Sequence, residues 1–287
     1  MRNYLLGSLM IFTFLTSCSK DETVEKTKPY LIVKFKFDPN QERLNNLGKV
    51  AVMPAGNDGQ SPLFAKISSH YIELAPNANT LLGSGAVLYH APETMIGGAK
   101  AIDFKQAKVV HEGEDFLKIP LSELTKGSYE WIRVSLSFQE FDIKIRESGL
   151  DFTGTVASFV GFNTYVTDFV LGSVPFAVNE NKSQGYWALS IVGKGFSGQA
   201  PAGATTVPNP IASTSPIPAG SCVVTGKFAS NLVITGNETQ DIVVTLSLSV
   251  NKSFEWKEVN VDGKYEPSAG EQVFDMGLRG LIPSFTK

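Results

Sequence analysis

Apolar and polar residues alternate along several segments of this 287-residue chain, which is the pattern of β-strands with one buried face. In the first such segment, Tyr30 to Asp38, apolar side chains occupy the odd positions from Leu31 to Phe37. In a longer segment, Asp241 to Trp256, the apolar residues fall mainly on even positions. At about 3.4 Å per residue this second segment is longer than an ordinary strand, so we predict a bend near Lys252.

The strand pattern from Tyr129 to Arg146 changes parity part-way along. Its apolar residues fall on even positions up to Phe138 and on odd positions from Phe141 onwards. Both halves can face one core only if the strand contains an extra residue. We therefore predict a β-bulge or a turn at Gln139–Glu140.

Turn formers, 26 Gly and 15 Pro, separate the strand patterns. One short helix is predicted near 39–47, because Asp38 can cap it, Pro39 suits its first position and Gly48 can follow its end. The Pro-rich stretch 199–220 favours a long excursion packed on a sheet over a linker between two β units. The predicted fold is mainly β, an antiparallel β-sandwich with long loops over residues 29–287, with a possible subdivision near 199–220.

The N-terminal residues have the features of a lipoprotein leader. The apolar run from Leu5 to Leu15 is too short to span a bilayer, as is typical of a signal peptide. Leu15-Thr16-Ser17-Cys18 resembles the bacterial lipobox, which implies a signal peptide over 1–17 and lipid attached to Cys18. Residues 18–28 form a polar tether, and its first residues, Ser19 to Glu22, resemble the charged signal that exports lipoproteins of the Bacteroidetes group to the cell surface. The alternative interpretations are an incidental cysteine and a simple solvated tether.

Composition and cysteine count exclude several function classes. The chain has 25 Lys and Arg against 28 Asp and Glu, so it lacks the basic character that binding a nucleic acid requires. With Cys18 committed to lipid, Cys222 has no partner for an intramolecular disulfide, and its alternating surroundings predict a core thiol. The G-x-G-x-x-G string at 193–198 precedes the Pro-rich stretch, which cannot form the helix that dinucleotide binding requires.

Histidine and carboxylate residues lie close together in the first half of the chain. His70 precedes Glu73 by three residues, and His90 precedes Glu93 by the same spacing. Imidazole and carboxylate together are typical ligands of zinc and other divalent ions. On a strand, residues three apart point to opposite faces, so hydrogen-bonded histidines near acidic loops are the alternative.

A second possible metal site lies near the C-terminus. The segment Asn260 to Glu266 contains an Asp-Gly pair. Asp262 of this pair and Glu266, which follows it, offer oxygen ligands for calcium. The segment lacks the alternating acids of a full calcium loop. An ordinary tight turn is the alternative, because Asp-Gly is also a strong turn signal.

Aromatic residues offer a third kind of site. Tyr129 and Trp131 lie on the parity opposite to the core residues of their strand, while Tyr186 and Trp187 are adjacent and face opposite ways. An exposed aromatic ring can stack on a sugar, which suggests a glycan ligand. Packing within the protein is the alternative, since aromatic pairs commonly belong to the core.

The sequence resembles a family of predicted lipoproteins from flavobacteria and their relatives. Besides the lipobox, the phrases that carry this resemblance are Arg43–Asn46, His70–Glu73, Tyr129–Ser135, Gln184–Trp187, Thr205–Pro210 and Asp275–Leu281. The resemblance implies a location and a β-sandwich form, and it carries over no catalytic residue.

Together these patterns predict a lipid-anchored lipoprotein of the bacterial outer membrane that faces the cell surface and acts as a binding or structural module. Its expected partners are the membrane, through the lipid, and a glycan or a surface protein. Two alternatives stay open. One is a surface glycan hydrolase, because the separation of paired carboxylates cannot be read from sequence. The other is a metal-handling lipoprotein, with zinc or calcium as the only expected cofactors.

Overall fold

The fold is described from a computed structural model, in residues 28–45, 47–200, 215 and 217–287. This part of the chain is mainly β, with 57% of it in strands, and it contains no α-helix. The strands, numbered in chain order, are β1 Tyr30–Asp38, β2 Asn57–Gln60, β3 Leu63–Ala75, β4 Ala86–His90, β5 Glu93–Thr94, β6 Ala101–Asp103, β7 Val109–His111, β8 Asp115–Pro120, β9 Gly127–Glu147, β10 Leu150–Phe159, β11 Asn163–Val166, β12 Phe169–Leu171, β13 Val174–Phe176, β14 Glu180–Ser183, β15 Tyr186–Ile191, β16 Lys194–Gln199, β17 Cys222–Ile234, β18 Ile242–Ser249, β19 Phe254–Lys257, β20 Gln272–Asp275 and β21 Leu281–Thr286. Single 3-10 turns occur at Phe104–Gln106, Leu121–Glu123 and Pro267–Ala269.

These strands form several antiparallel and mixed sheets, including a curled half-barrel sheet. The largest sheet has eight strands in the order β16-β15-β10-β9-β3-β4, with β17 beside β9 and β7 beside β3. A four-stranded sheet has the order β21-β18-β1-β8, in which β1 runs parallel to β18. Smaller sheets are β14-β11-β6-β5, β2-β19-β20 and the hairpin β12-β13.

The principal core joins the four-stranded and eight-stranded sheets. It contains Val33 of β1 and Leu246 of β18 from the first, and Ile72 of β3 and Ile132 of β9 from the second, all fully buried. A second core, around Phe159 of β10, packs β10 and β15 against β11 and β12. Both faces of this part of the large sheet are therefore covered.

Two features of the strand pattern are confirmed. The first strand has the predicted bounds, Tyr30–Asp38. The long segment near the C-terminus is divided into β18 and β19, and Lys252 lies between them with a φ of 45°. A residue with a positive φ turns the chain sharply, so the bend lies at Lys252, as predicted.

The parity change in β9 is present, but its extra residue is Ser137. The register between β3 and β9 passes from Phe138 to Leu136 and skips Ser137. Phe138 consequently packs in the second core, whereas Gln139 is directed to the principal core and its amide donates to the Met276 carbonyl at 2.6 Å. The bulge lies before the predicted Gln139–Glu140 because the apolar Phe138 belongs to the opposite face.

The predicted helix near 39–47 is wrong. After a turn at Pro39–Asn40 and a bend at Gln41, the described residues of this segment contain no helix, and Leu44 forms an isolated β-bridge with Val50. The Leu44 N–H donates to the Arg279 carbonyl at 2.9 Å. Long-range contacts of this kind use the backbone groups that a helix would have paired locally.

The second cysteine and the Pro-rich stretch are only partly covered by the structure. Cys222 opens β17 and packs half-buried against the principal core, as predicted. Ile217 is buried with Tyr71 and Val223, and β16 and β17, on either side of the stretch, belong to one sheet. Residues 201–214 and 216 lie outside the described residues, as do the leader, Cys18 and the tether up to residue 27.

Candidate functional site

A β-bulge in the middle of β3 positions His70. The register of β3 with β9 passes from Ser69 to Tyr71 and skips His70. At the same point the other edge of β3 changes partner, from β7 to β4. The Ser69 hydroxyl donates to the Ser135 carbonyl at 2.8 Å and closes the gap in the ladder. Bulges of this kind redirect a side chain out of its regular place in the sheet.

His90 and Glu93 reach the same place from the end of β4 and the start of β5. His90 is the last residue of β4 and is paired with Tyr71. The chain is then held close to β3, because the Ala91 N–H donates to the His70 carbonyl at 2.7 Å. Glu93 opens β5 two residues later. The three side chains thus come from three consecutive strands, of which β3 and β4 pair in the large sheet and β5 belongs to the small sheet β14-β11-β6-β5.

The three ligand-type atoms of this site form a small triangle. The His70 Nε2 lies 3.0 Å from the Glu93 Oε1 and 3.2 Å from the His90 Nε2, and the His90 Nε2 lies 3.4 Å from the same Oε1. Neutral imidazole nitrogens carry at most one hydrogen each, so hydrogen bonds can occupy only two of the three edges. A tetrahedral zinc ion with bonds of about 2.0–2.1 Å places its ligand atoms about 3.3–3.4 Å apart. The edges of the triangle, 3.0, 3.2 and 3.4 Å, are close to this spacing. The two shorter edges would lengthen by about 0.1–0.4 Å to become edges of such a site.

Burial decreases across the triangle, from His70 at 0% exposed, through Glu93 at 16%, to His90 at 42%. Burial lowers the pKa of His70 to about 4, against the opposing effect of Glu93. His70 is therefore a neutral imidazole at physiological pH, which is the form that binds metals. The exposed side of His90 leaves room for a fourth ligand from solvent.

Lys100 and Phe162 complete the surroundings of the triangle. The Lys100 Nζ lies 2.7 Å from the second oxygen of Glu93, Oε2, so this carboxylate presents Oε1 alone to the histidines. Burial would raise the pKa of Glu93, but hydrogen bonds from Lys100 and His70 hold it below its ordinary value. The Phe162 ring packs 5.2 Å from the His70 ring, centroid to centroid. Neither residue was predicted, because both approach through tertiary contacts that leave no spacing in the sequence.

Glu73, also predicted as a ligand, lies in a separate buried cluster. One of its oxygens, Oε1, accepts a hydrogen bond from Arg133 at 3.0 Å. The other, Oε2, accepts the Gly83 and Gly85 N–H groups, at 2.9 and 3.2 Å. The structure therefore brings together His70, His90 and Glu93 and leaves Glu73 outside the site.

Asp262 and Glu266 lie in the long loop between β19 and β20. The Asp262 carboxylate accepts the Lys264 N–H at 3.0 Å, and Glu266 accepts from the Asn260 side-chain amide. Two further acids, among them Glu271, bind loop N–H groups. Within the described residues, the triangle of His70, His90 and Glu93 is the one group of three or more such side chains close enough to share an ion.

The four predicted aromatic residues do not form a common platform. Tyr129 is buried and its hydroxyl donates to the Thr125 carbonyl at 2.7 Å, while Tyr186 belongs to the second core. Trp131 is half-buried on β9 with the Lys227 ammonium 5.8 Å from its ring centroid. Trp187 is half-buried on β15 and lines a cavity described below.

A buried acid on β19, Glu255, lies opposite a half-buried one on β20, Asp275. Glu255 is fully buried, and its Oε2 lies 2.6 Å from Arg43 and 3.1 Å from Arg279. Asp275 lies 2.9 Å from Arg279, although burial still raises its pKa. The Asn57 amide donates to the remaining oxygen of Glu255 at 2.8 Å. Both acids are thus bound by arginines, which suits a structural cluster.

No family model, curated protein or solved structure matches this chain. In the described part of the chain, no helix is sufficiently long and apolar to cross a membrane. The function is therefore inferred from the geometry of the sites and from the sequence patterns.

Proposed function

We propose that this protein is a binding lipoprotein that holds a divalent transition-metal ion, zinc in the simplest case, at His70, His90 and Glu93. The observation that carries the proposal is the set of distances of 3.0, 3.2 and 3.4 Å among two imidazole nitrogens and one carboxylate oxygen. Two imidazoles and one carboxylate favour zinc and its neighbours in the transition series over calcium or magnesium, which prefer oxygen ligands.

The arrangement suits binding and exchange of the ion. A rigid, buried imidazole supplies one ligand in its neutral form, and the half-exposed His90 supplies another at the surface. An ion can therefore enter from the side of His90 without opening the core. The competing hydrolase interpretation draws less support, because the acids Glu255 and Asp275 are bound by Arg43 and Arg279.

The same proposal places the protein on the outer membrane with its body facing outwards. The lipobox at Leu15–Cys18 and the charged residues that follow support this location. Lipid chains on Cys18 would attach the chain firmly, since each buried methylene contributes about 0.8 kcal/mol. The shared core of the four-stranded and eight-stranded sheets supports a sandwich-like arrangement of the body.

A binding titration tests the metal site. We expect the chain from Ser19 to Lys287, which contains every described residue, to bind one equivalent of Zn²⁺ by calorimetry. Co²⁺ in the same site should give the visible absorption of a tetrahedral complex. The variant His90→Ala should lower the affinity for Zn²⁺ by more than about 100-fold. Removing a residue that only contacts a metal ligand lowers affinity by up to about 100-fold, and loss of a ligand itself should cost more.

The third histidine provides the matched control. His111 is exposed at the end of β7 and lies outside the triangle, so His111→Ala should bind Zn²⁺ like the unaltered chain. Equal losses in the two variants would show non-specific binding to surface histidines. Unchanged affinity in His90→Ala would contradict the proposal.

A further inference from the structure

A cavity of about 710 Å³ lies between the eight-stranded sheet and the small sheet β2-β19-β20. One wall is formed by the C-terminal part of β9 together with β10, β15 and β16, and the other by β19, β20 and the loop between them. It shares no residue with the histidine triangle. Its volume is within the range of about 300–1,000 Å³ that is typical of small-molecule sites.

The walls of this cavity are apolar and rich in aromatic rings. Fourteen of the eighteen lining residues are apolar or aromatic, and five of these are Trp187, Phe196, Phe254, Tyr265 and Phe274. Aromatic rings prefer offset or edge-on contact with other rings. The walls therefore suit a ligand that itself contains rings.

Two phenylalanines stand exposed at the opening. Phe196 of β16 is 49% exposed and Phe274 of β20 is 48% exposed. Within the described residues, each lies on a strand that pairs with one other, β15 for β16 and β19 for β20. Apolar side chains that gather at a concave opening, rather than singly on the surface, mark a binding site.

The charges of the lining decide the kind of ligand. Among the described residues that line the cavity, the four polar ones are Glu147, Gln199, Gln272 and Asp275, and none is Lys, Arg or His. Asp275 is bound to Arg279 at 2.9 Å, which leaves Glu147 as the other charged residue of this lining. An anionic ligand would find no opposite charge among these residues. A sugar would leave most of its hydroxyl groups without partners.

We propose that this cavity binds an uncharged, ring-containing apolar molecule. Trp187, predicted as a ligand-binding residue, is one of the residues that line it. The site is separate from the metal site and does not depend on it.

A pair of fluorescent probes that differ by one charged group, a sulfonate, tests this proposal. N-phenyl-1-naphthylamine is uncharged, and 8-anilinonaphthalene-1-sulfonate is the same molecule with a sulfonate. The chain from Ser19 to Lys287 should bind the uncharged probe saturably with a rise in fluorescence, and should bind the sulfonate at least about tenfold more weakly. Equal or tighter binding of the sulfonate, or no saturable binding of the uncharged probe, would overturn the proposal.

Three variants locate the probe. Phe196→Ala and Phe274→Ala remove exposed rings, so the fold is expected to survive, and each should weaken binding of the uncharged probe about fivefold. Val170→Ala is the matched control, because Val170 is 64% exposed on β12 outside the cavity. Its affinity should equal that of the unaltered chain. Unchanged affinity in both phenylalanine variants would place the probe elsewhere and contradict the proposal.

The metal and cavity proposals can be separated with one further variant. His90→Ala should lose Zn²⁺ and keep full affinity for the uncharged probe. Loss of probe binding in this variant would show that the two sites are coupled and would contradict the independence stated above.

Discussion

The cysteine Cys222 has the surroundings of an unreactive thiol. Burial raises the pKa of Cys222 to about 12, and the nearby Asp275 adds to this effect. A thiol with such a pKa contains almost no thiolate at neutral pH and is a poor nucleophile. Cys18 lies in a segment that resembles a lipobox, so the sequence pattern predicts that this cysteine carries lipid.

These two observations predict which cysteine carries lipid. When the full chain is expressed in a lipoprotein-processing bacterium with a labelled fatty acid, Cys18→Ser should abolish labelling and release the protein from the membrane fraction. Cys222→Ala is the matched control and should keep both label and location. Label retained in Cys18→Ser would refute the anchor at this position.

The strand β9 shows how neighbouring elements determine local structure. Its N-terminal half pairs with β17 and its C-terminal half with β10, while β3 runs along the other edge. The bulges at His70 and Ser137 lie where these partners change. His70 is thereby directed toward His90 and Glu93, so the candidate metal site is a consequence of the sheet's irregularity.

The strand β19 is tied to two distant segments through one side chain. Glu255 is fully buried and binds Arg43, Arg279 and Asn57. Its replacement leaves the half-buried Arg43 without a counter-charge and leaves Arg279 with Asp275 alone. We expect Glu255→Ala to lower the free energy of unfolding by about 3–5 kcal/mol.

Chemical denaturation with urea measures this loss through the midpoint of unfolding. The exposed ion pair of Glu180 with Lys182 is the comparison, and Glu180→Ala should change stability by less than about 1 kcal/mol. Similar small effects of both variants would show that the buried cluster contributes little.

Much of the strand arrangement could be predicted from period-two patterns, as Tyr30–Asp38 and the bend at Lys252 show. The bulge lies earlier than predicted because Phe138 continues the even apolar pattern but packs in the second core. No pattern in the sequence indicates that a second core exists. The helix near 39–47 is absent because the backbone of Leu44 pairs with Val50, which lies just beyond the segment, and with the distant Arg279.

The candidate site could also be predicted only in part, because long-range contacts decide which carboxylates belong to it. Histidine and carboxylate chemistry pointed to His70, His90 and Glu93, but the same reasoning included Glu73. Spacing alone cannot show that Glu73 is held by Arg133 or that Lys100 holds Glu93. Those contacts depend on how β3 pairs with β9 and how the chain returns after β5.

The described part of the protein is a β body with two separate candidate sites, and the sequence pattern of the leader predicts a lipid anchor. The histidine triangle lies at the junction of β3, β4 and β5, and the aromatic cavity lies between β15, β16 and β20. Different strands build them, so each can be removed without the other. This arrangement suits a surface protein that binds rather than transforms its ligands.

A crystal structure of the chain from Ser19 to Lys287 grown with Zn²⁺ would test the metal site most directly, through anomalous diffraction at the zinc edge. The account predicts one strong peak about 2.0–2.1 Å from the Nε2 atoms of His70 and His90 and from the Oε1 atom of Glu93. Zinc bound only elsewhere, or a triangle that stays closed by hydrogen bonds at saturating zinc, would contradict it.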